Sequence, residues 1–279
     1  MTLAVIGLGL IGGSMALTLK EKGLAARVLG VEANPTHAAE ALRLGLVEEI
    51  VPLEAAVAAA DVLLLAVPVD ALLTLLPRVL DRVERQVVFD AGSTKEAVLN
   101  AVAGHPRRGR FVAAHPMWGT EYSGPAAAVS NGFAGKAAVI CDREVSDPDA
   151  LAKVEGIHRA LGMHLVYMNG RDHDVHVAYI SHISHITSFA LANTVLEKER
   201  EEGTIFELAS GGFESTVRLA KSNPAMWVPI FRQNRENVLD VLNEHISQLR
   251  KFKACLEKEN YDYLGELIGL ANAIRRIIH

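Results

Sequence analysis

The run Gly7-Leu8-Gly9-Leu10-Ile11-Gly12 has the spacing G-x-G-x-x-G that seats the pyrophosphate of a dinucleotide. It directly follows an apolar strand-like run and opens a helical pattern, the setting that such a match requires. Gly7 permits a tight turn, Gly9 lets the backbone approach a phosphate, and Gly12 lets helix and strand pack closely. The amides that open the helix, those of Leu10 and Ile11, meet the phosphates with the positive end of the helix dipole. Glu32 ends the second strand-like run twenty residues after Gly12, where a carboxylate accepts from ribose hydroxyls. Its charge repels a 2′-phosphate and Ala33-Asn34-Pro35 supply no Arg, so NAD is the expected cofactor rather than NADP. A glycine-rich turn beside a solvated Glu is the plainer alternative.

Hydride loss from a secondary alcohol needs a group that takes the hydroxyl proton, and a neutral imidazole does this near pH 7. Ligands of open parallel sheets sit beyond the carboxyl ends of the strands, which turns Val67-Pro68, Ala91-Gly92-Ser93 and His115-Pro116 toward a nicotinamide. His115 is the candidate base, since Pro116 biases its backbone to an extended form that aims the ring into the cleft. A loop histidine without a role is the alternative. Arg218 sits in an apolar helical pattern; facing the cleft it grips a carboxylate with two parallel hydrogen bonds, and otherwise it forms an ordinary surface ion pair. His182 and His185 are spaced to share one helix face, as are His173 and His176 on the preceding turns. No H-E-x-x-H pattern and no acid at ligand spacing accompanies them, so no metal is expected and buried or capping histidines are.

These residues need a sheet and helices to hold them. Val/Leu/Ile-rich runs at Leu3–Ile6, Arg27–Val31, Val62–Val67, Gln86–Asp90, Phe111–Ala114, Ala137–Ile140 and His164–Tyr167 alternate with helical patterns. That alternation predicts parallel strands with crossover helices on both faces. Asn34-Pro35 and Asp147-Pro148 suit the cap and first turn of helices. After Asn169 the texture becomes helical, with segments near 171–202, 204–221, 224–258 and 261–278 broken most clearly at Gly211–Gly212 and Asn223–Pro224. The expected organisation is an α/β Rossmann-type doubly wound sheet over residues 1–169, followed by an all-α helical domain over 170–279. So many apolar helical positions exceed what one chain buries, and a homodimer through the helical domain is expected.

Composition narrows the function classes. With 279 residues, half of them apolar, the chain has the makeup of a globular protein, and a formal net charge of −5 argues against nucleic-acid or anionic-lipid partners. Two cysteines far apart offer no disulfide framework and fit a reducing, cytoplasmic setting. The apolar N-terminus lacks a basic flank and is broken by four glycines, so it reads as strand, turn and helix rather than as a signal peptide. No stretch approaches the length of a membrane span.

Five blocks in order resemble the prephenate/arogenate dehydrogenase family over essentially the whole chain. They are Val5-Ile6-Gly7-Leu8-Gly9-Leu10-Ile11-Gly12-Gly13-Ser14, Asp90-Ala91-Gly92-Ser93-Thr94-Lys95, Ala114-His115-Pro116-Met117-Trp118-Gly119-Thr120-Glu121, Ile180-Ser181-His182-Ile183-Ser184-His185, and Arg218-Leu219-Ala220-Lys221-Ser222-Asn223-Pro224-Ala225-Met226-Trp227. The resemblance implies an oxidative decarboxylation in tyrosine biosynthesis, with hydride passing from a ring carbinol to NAD as carbon dioxide leaves and the ring becomes aromatic. It implies that His115 acts as base on the ring hydroxyl and that Ser93 holds that hydroxyl or orients His115. Arg218 would bind a substrate carboxylate with His185 beside it, Thr120 and Glu121 would stand at the pocket mouth, and His182 and Trp227 would be supports. Trp118 stands where many members carry a smaller residue and Ser215 where some carry an acid; both bear on pocket shape and inhibitor response. Between prephenate and arogenate, which differ by a keto group against an ammonium, the lack of a carboxylate from Tyr122 through Gly132 favours prephenate, while Glu121 keeps arogenate open. With His279 following directly on the helical segment, feedback by tyrosine is expected at or near the active site rather than through an appended sensing domain. A 3-hydroxy acid dehydrogenase, an imine reductase and a non-catalytic NAD-sensing protein are the competing readings.

Overall fold

The computed structural model describes residues 1–277. Eight strands form one sheet in the order β3-β2-β1-β4-β5-β6-β7-β8: β1 Thr2–Ile6, β2 Arg27–Val31, β3 Glu49–Ile50, β4 Val62–Leu65, β5 Val87–Asp90, β6 Phe111–Pro116, β7 Ala137–Cys141 and β8 His164–Met168. Central strands such as Val62-Leu63-Leu64-Leu65 are buried at every residue, because helices cover both faces. On one face α1 (Leu10–Glu21), α2 (Pro35–Arg43) and α6 (Pro148–Ala160) pack Met15, Leu19, Ala41, Val154 and Ile157 against Leu3, Val5, Leu64 and Phe89. On the other, α3 (Leu53–Ala59), α4 (Val69–Leu80) and α5 (Glu96–Ala101) pack Val57, Leu72, Leu76 and Val98 against Ala4, Ile6, Leu63 and Leu65. The sheet is therefore doubly wound, as the alternation of runs implies.

The expectation of an all-parallel sheet needs correction. β6 and β7 pair antiparallel, with His115 opposite Val139. The connection between them contains only the short 3-10 turn Pro125–Ala127 and no crossover helix, so the chain returns beside β6 in the opposite sense. α6 then restores a parallel step from β7 to β8. β3, two residues long, is too short to leave a sequence pattern. Asn34 caps α2 through Oδ1, which accepts from the amides of Thr36 and His37, with Pro35 at the first helical position. Pro148 likewise opens α6, but Asp147 makes no cap bond; its carboxylate pairs with Arg110 at 3.2 Å.

Gly170 begins α7 (Gly170–Val177), which runs through a π-helical turn, Ala178–His182, into α8 (Ile183–Glu202). The continuous helix expected over 171–202 thus contains an inserted residue in its register. The segment 204–221 is less regular than its pattern: a 3-10 turn at Ile205–Leu208, α9 (Gly211–Val217), and a second 3-10 turn at Arg218–Lys221. Gly211–Gly212 open α9 rather than break a helix. α10 (Pro224–Gln233) and α11 (Arg235–Glu257) replace the single helix expected over 224–258, because the Asn234 side chain turns inward to donate to the Asp174 carbonyl at 2.6 Å. Gln233 ties down this end of α10: Thr94 Oγ1 donates to Gln233 at 2.8 Å and Gln233 donates to Asp70 at 3.0 Å, which seats α10 over the α4–α5 side.

Packing divides the chain after Asn234, whereas the texture of the sequence changes at Asn169–Gly170. The unit beginning at Arg235 consists of α11 and α12 (Tyr261–Ala271), followed by the 3-10 turn Asn272–Arg276. Residue 278, the end of the last expected helix, lies outside the described residues. Among the described residues no helix is long and apolar enough to cross a membrane.

Candidate active site

The turn from β1 into α1 begins at Gly7, whose φ of +94° lies in the left-handed region that favours glycine. A Cβ on Gly12 would strike the Gly7 carbonyl, so the helix can lie this close to the strand only with glycine there. Gly9 has nothing within 4 Å of where its Cβ would stand, so that its backbone is open to a ligand. As the N-cap of α1 it brings no side chain to the first helical amides. Glu32 accepts from the Leu8 amide at 2.9 Å and the Asn34 amide at 3.0 Å, which locks its carboxylate beside the glycine turn with lone pairs to spare. This cradle fits a dinucleotide: open glycine backbone and unpaired amides for phosphate, an anchored carboxylate for hydroxyls.

Beyond the strand ends lies a cavity of about 600 Å³. Gly9, Leu10, Ile11, Val67 and Pro68 line it from the nucleotide side, Ser93, His115 and Thr120 from the sheet ends and the loop after β6, and His185 and Trp227 from the helices. The structure therefore brings most of the sequence-derived candidates to one place. Arg218 and Glu121 are not among the lining residues, although their neighbours Leu219, Thr120 and Tyr122 are. Arg218 Nη1 donates to Glu121 Oε2 at 2.7 Å, so the guanidinium, about half exposed, is already engaged in an ion pair.

His115 is only 9% exposed. Its Nδ1 lies 2.8 Å from His173 Nε2, and His173 Nδ1 lies 2.7 Å from Asp174 Oδ1. Asp174 also accepts the amides of Lys95 at 2.8 Å and Glu96 at 3.0 Å. A carboxylate only accepts, so His173 must donate from Nδ1 and accept at Nε2. That in turn makes His115 Nδ1 a donor and leaves the lone pair on Nε2, the nitrogen free for the cavity. His115 is thus oriented by His173. Burial, followed by the nearby His173, Lys95 and His182, holds His115 well below the usual histidine range, so its ring is neutral at pH 7. Burial and Lys95 likewise bring His173 down to about 3.

The strand end carrying His115 is clamped from below. The fully buried Lys95 pairs with Asp90 and donates to the Ala114 carbonyl at 2.9 Å, while Asp90 accepts the amides of Ala114 at 3.0 Å and Gly92 at 2.9 Å. One ion pair therefore fixes both the residue before His115 and the loop that presents Ser93.

On the helical side His182 and His185, three residues apart at the start of α8, are both buried against Trp227. His185 stacks on the indole with centroids 3.5 Å apart, and His182 meets its edge at 5.9 Å. His185 Nδ1 bonds the Ser181 carbonyl at 3.0 Å, and His182 Nδ1 accepts from Asn234 at 3.1 Å. Burial lowers His185 and takes His182 to about 4. The indole N–H of Trp227 is buried without a protein partner, while the ring lines the cavity and supports His185. The pairing of His173 with His176 on one face does not hold: His173 is buried and His176 exposed. Trp118 lines the cavity and rests its ring edge-on to Phe133 at 4.6 Å, over Gly132.

Asp174 and Asn234 are residues that sequence reasoning passed over, and Asp90 and Lys95, although they bound one of the five blocks, are given no role there. The only local hint was an acid directly following His173 and a lysine five residues after a strand-ending aspartate.

Comparison with known proteins bears on these residues as a set. Residues 15–167 match the family model for the prephenate dehydrogenase nucleotide-binding domain, and residues 169–270 match that for the prephenate dehydrogenase dimerization domain. The chain is 31% identical to prephenate dehydrogenase of Bacillus subtilis over 98% of its length and 75% of the relative's. It is 28% identical to cyclohexadienyl dehydrogenase of Zymomonas mobilis over 95% of its length and 91% of the relative's. The crystal structure of prephenate dehydrogenase from A. aeolicus in complex with hydroxyphenyl propionate and NAD+ superposes with a TM-score of 0.90 at 28% identity, covering 100% of this chain and 98% of that one.

Proposed function

Because the chain belongs to the prephenate dehydrogenase family, we propose that it oxidises and decarboxylates prephenate with NAD, yielding 4-hydroxyphenylpyruvate for tyrosine. One observation carries the choice of ring acid: among the described residues that line the cavity there is no Asp or Glu. An ammonium in the place of the keto group would be desolvated there without a counter-charge. Glu121, which could have met it, is already paired with Arg218.

The glycine turn and Glu32 would hold NAD, which when bound supplies the hydride acceptor. Glu32 is anchored by two amides and the next residues, Ala33-Asn34-Pro35, supply no Arg, which supports NAD over NADP. His115 Nε2 accepts the ring hydroxyl proton, and Ser93, which lines the same cavity, holds that hydroxyl. The remaining donors of Arg218 grip a carboxylate at the cavity edge, with Thr120 beside it, while His185 and Trp227 line its inner end. Trp118 and Met117 keep water from the ring.

We further propose a homodimer. The unit of α11 and α12 exposes Leu249, Leu256, Tyr261, Ile268 and Leu270, an apolar face consistent with a dimerization-domain match.

Steady-state rates with prephenate and arogenate, each with NAD and NADP, test the assignment. The expected result is kcat/KM at least about tenfold higher for prephenate with NAD, a difference of about 1.4 kcal/mol. Preference for arogenate or for NADP would overturn it.

A further inference from the structure

We propose that His173 and Asp174 store the substrate's hydroxyl proton while the ring is being oxidised and return it when the ring becomes aromatic. This inference rests on the oxidative decarboxylation assigned above. In that reaction the carbinol carbon loses a hydride to NAD and its oxygen loses a proton, so that a carbonyl forms. Loss of carbon dioxide then leaves its electron pair in the ring, and the oxygen becomes a phenolate that needs a proton. The balance is one hydride transferred, one carbon dioxide released and no proton gained or lost by solvent. The proton is needed back on the same oxygen, so the enzyme has a use for a place to keep it.

The chain of contacts provides one. His115 Nε2 takes the proton, His115 Nδ1–H passes to His173 Nε2 at 2.8 Å, and His173 Nδ1–H passes to Asp174 Oδ1 at 2.7 Å. At the end both imidazoles are neutral with exchanged tautomers, and the carboxylate has become a neutral acid. Had His115 kept the proton, a cation would sit on a ring only 9% exposed, near the Lys95 ammonium and the imidazoles of His173 and His182. His173 is fully buried and Asp174 is 2% exposed, so the stored proton does not exchange with water before it is needed.

The groups facing Asp174 fit temporary storage. The Lys95 and Glu96 amides at the start of α5 favour the carboxylate, as do the Lys95 ammonium and His182, whereas burial outweighs them and raises its pKa. The acid form is thus accessible during the reaction, and the four favouring groups drive the proton back afterwards. His173 and Asp174 act only through His115; neither lines the cavity.

The test uses the NAD-bound enzyme turning over prephenate in mixtures of H2O and D2O. In wild type the plot of kcat against deuterium fraction is expected to curve, because several protons move together. In His173→Gln, which leaves the bonds of Asp174 to α5 in place, it should become linear, with kcat lowered about 100-fold and NAD affinity within about twofold. In Asp174→Asn, kcat should fall at least as far, and the residual rate should rise from pH 7 to 9 as hydroxide takes over the proton, where wild type is flat. Should Asp174→Asn fail to fold for want of its bonds to α5, His173→Gln decides alone. Variants within about threefold of wild-type kcat, or superimposable isotope plots, would overturn the relay while leaving the function standing. A wild type that does not turn over prephenate would overturn both.

Discussion

Lys95 donates its ammonium to the carbonyl of Ala114 at 2.9 Å, and Ala114 is the residue that carries the chain into His115. Asp90, the partner of that ammonium, accepts the Ala114 amide, so both polar groups of one residue are held by a single buried ion pair. Lys95→Met leaves a buried carboxylate without its counter-charge and is expected to cost about 3–5 kcal/mol in urea denaturation. Asp90→Asn added to it should restore part of that loss, because no net charge is then buried. A loss under about 1 kcal/mol for the single variant would show that the pair does not hold the strand end.

The glycines of the first turn should separate by role. Gly9 opens on empty space, so Gly9→Ala is expected to fold normally and to weaken NAD binding about tenfold or more by occupying the approach of the pyrophosphate. A Cβ at Gly12 meets the Gly7 carbonyl, so Gly12→Ala should lower the unfolding midpoint itself. Calorimetry with and without NAD distinguishes them, and equal effects on stability would refute the assignment.

Substrate binding should depend on pH through His185. Its pKa is lowered by burial, with Arg218 nearby adding to the effect, so the free ring is neutral at pH 7. A bound carboxylate favours the imidazolium, which raises the pKa in the complex; affinity is then highest in acid, and KM for prephenate rises with pH across a window that begins below 6.5. His185→Gln should flatten that rise. Arg218→Ala should raise KM about 10- to 100-fold at every pH, with NAD affinity nearly unchanged. A KM independent of both residues would remove them from carboxylate binding.

Two buried histidines make the fold sensitive to acid. His173 and His182 fall to about 3 and about 4 in the folded chain from an ordinary value of 6.5. A depressed pKa means that the neutral ring stabilises the fold fully above 6.5 and that this contribution is lost as pH falls toward the folded values. The slope is about 1.4 kcal/mol per pH unit for each ring. Asp174, whose pKa is raised, has the opposite sign and offsets part of the loss. Denaturation midpoints should therefore drop between pH 6.5 and 5, and midpoints level across that range would contradict the burial of neutral rings.

The residues that are legible in the sequence are those whose role is local. Gly7, Gly9 and Gly12 announce a turn because spacing within six residues defines it, and His115 stands out because it follows a strand and precedes a proline. Asp174 carries no such mark: its meaning arises when a helix 58 residues further on sets His173 against His115. Lys95 looks like a surface lysine until the sheet closes over it, and Asn234 ends α10 by bonding Asp174 and His182 rather than by being Gly or Pro. The antiparallel β7 escapes notice for the same reason, since an apolar strand reads alike in either direction. Arg218 is the reverse case, because its apolar context suggested a cleft residue as readily as a surface ion pair and the structure shows it paired with Glu121.

The base assignment is tested most directly by His115→Asn, assayed for NADH formation from NAD and prephenate alongside direct measurement of NAD binding. Removal of the imidazole that faces the cavity should lower kcat at least about 100-fold and leave NAD affinity as it was. Turnover equal to that of the unaltered enzyme would mean that the proton leaves the ring hydroxyl by some other route.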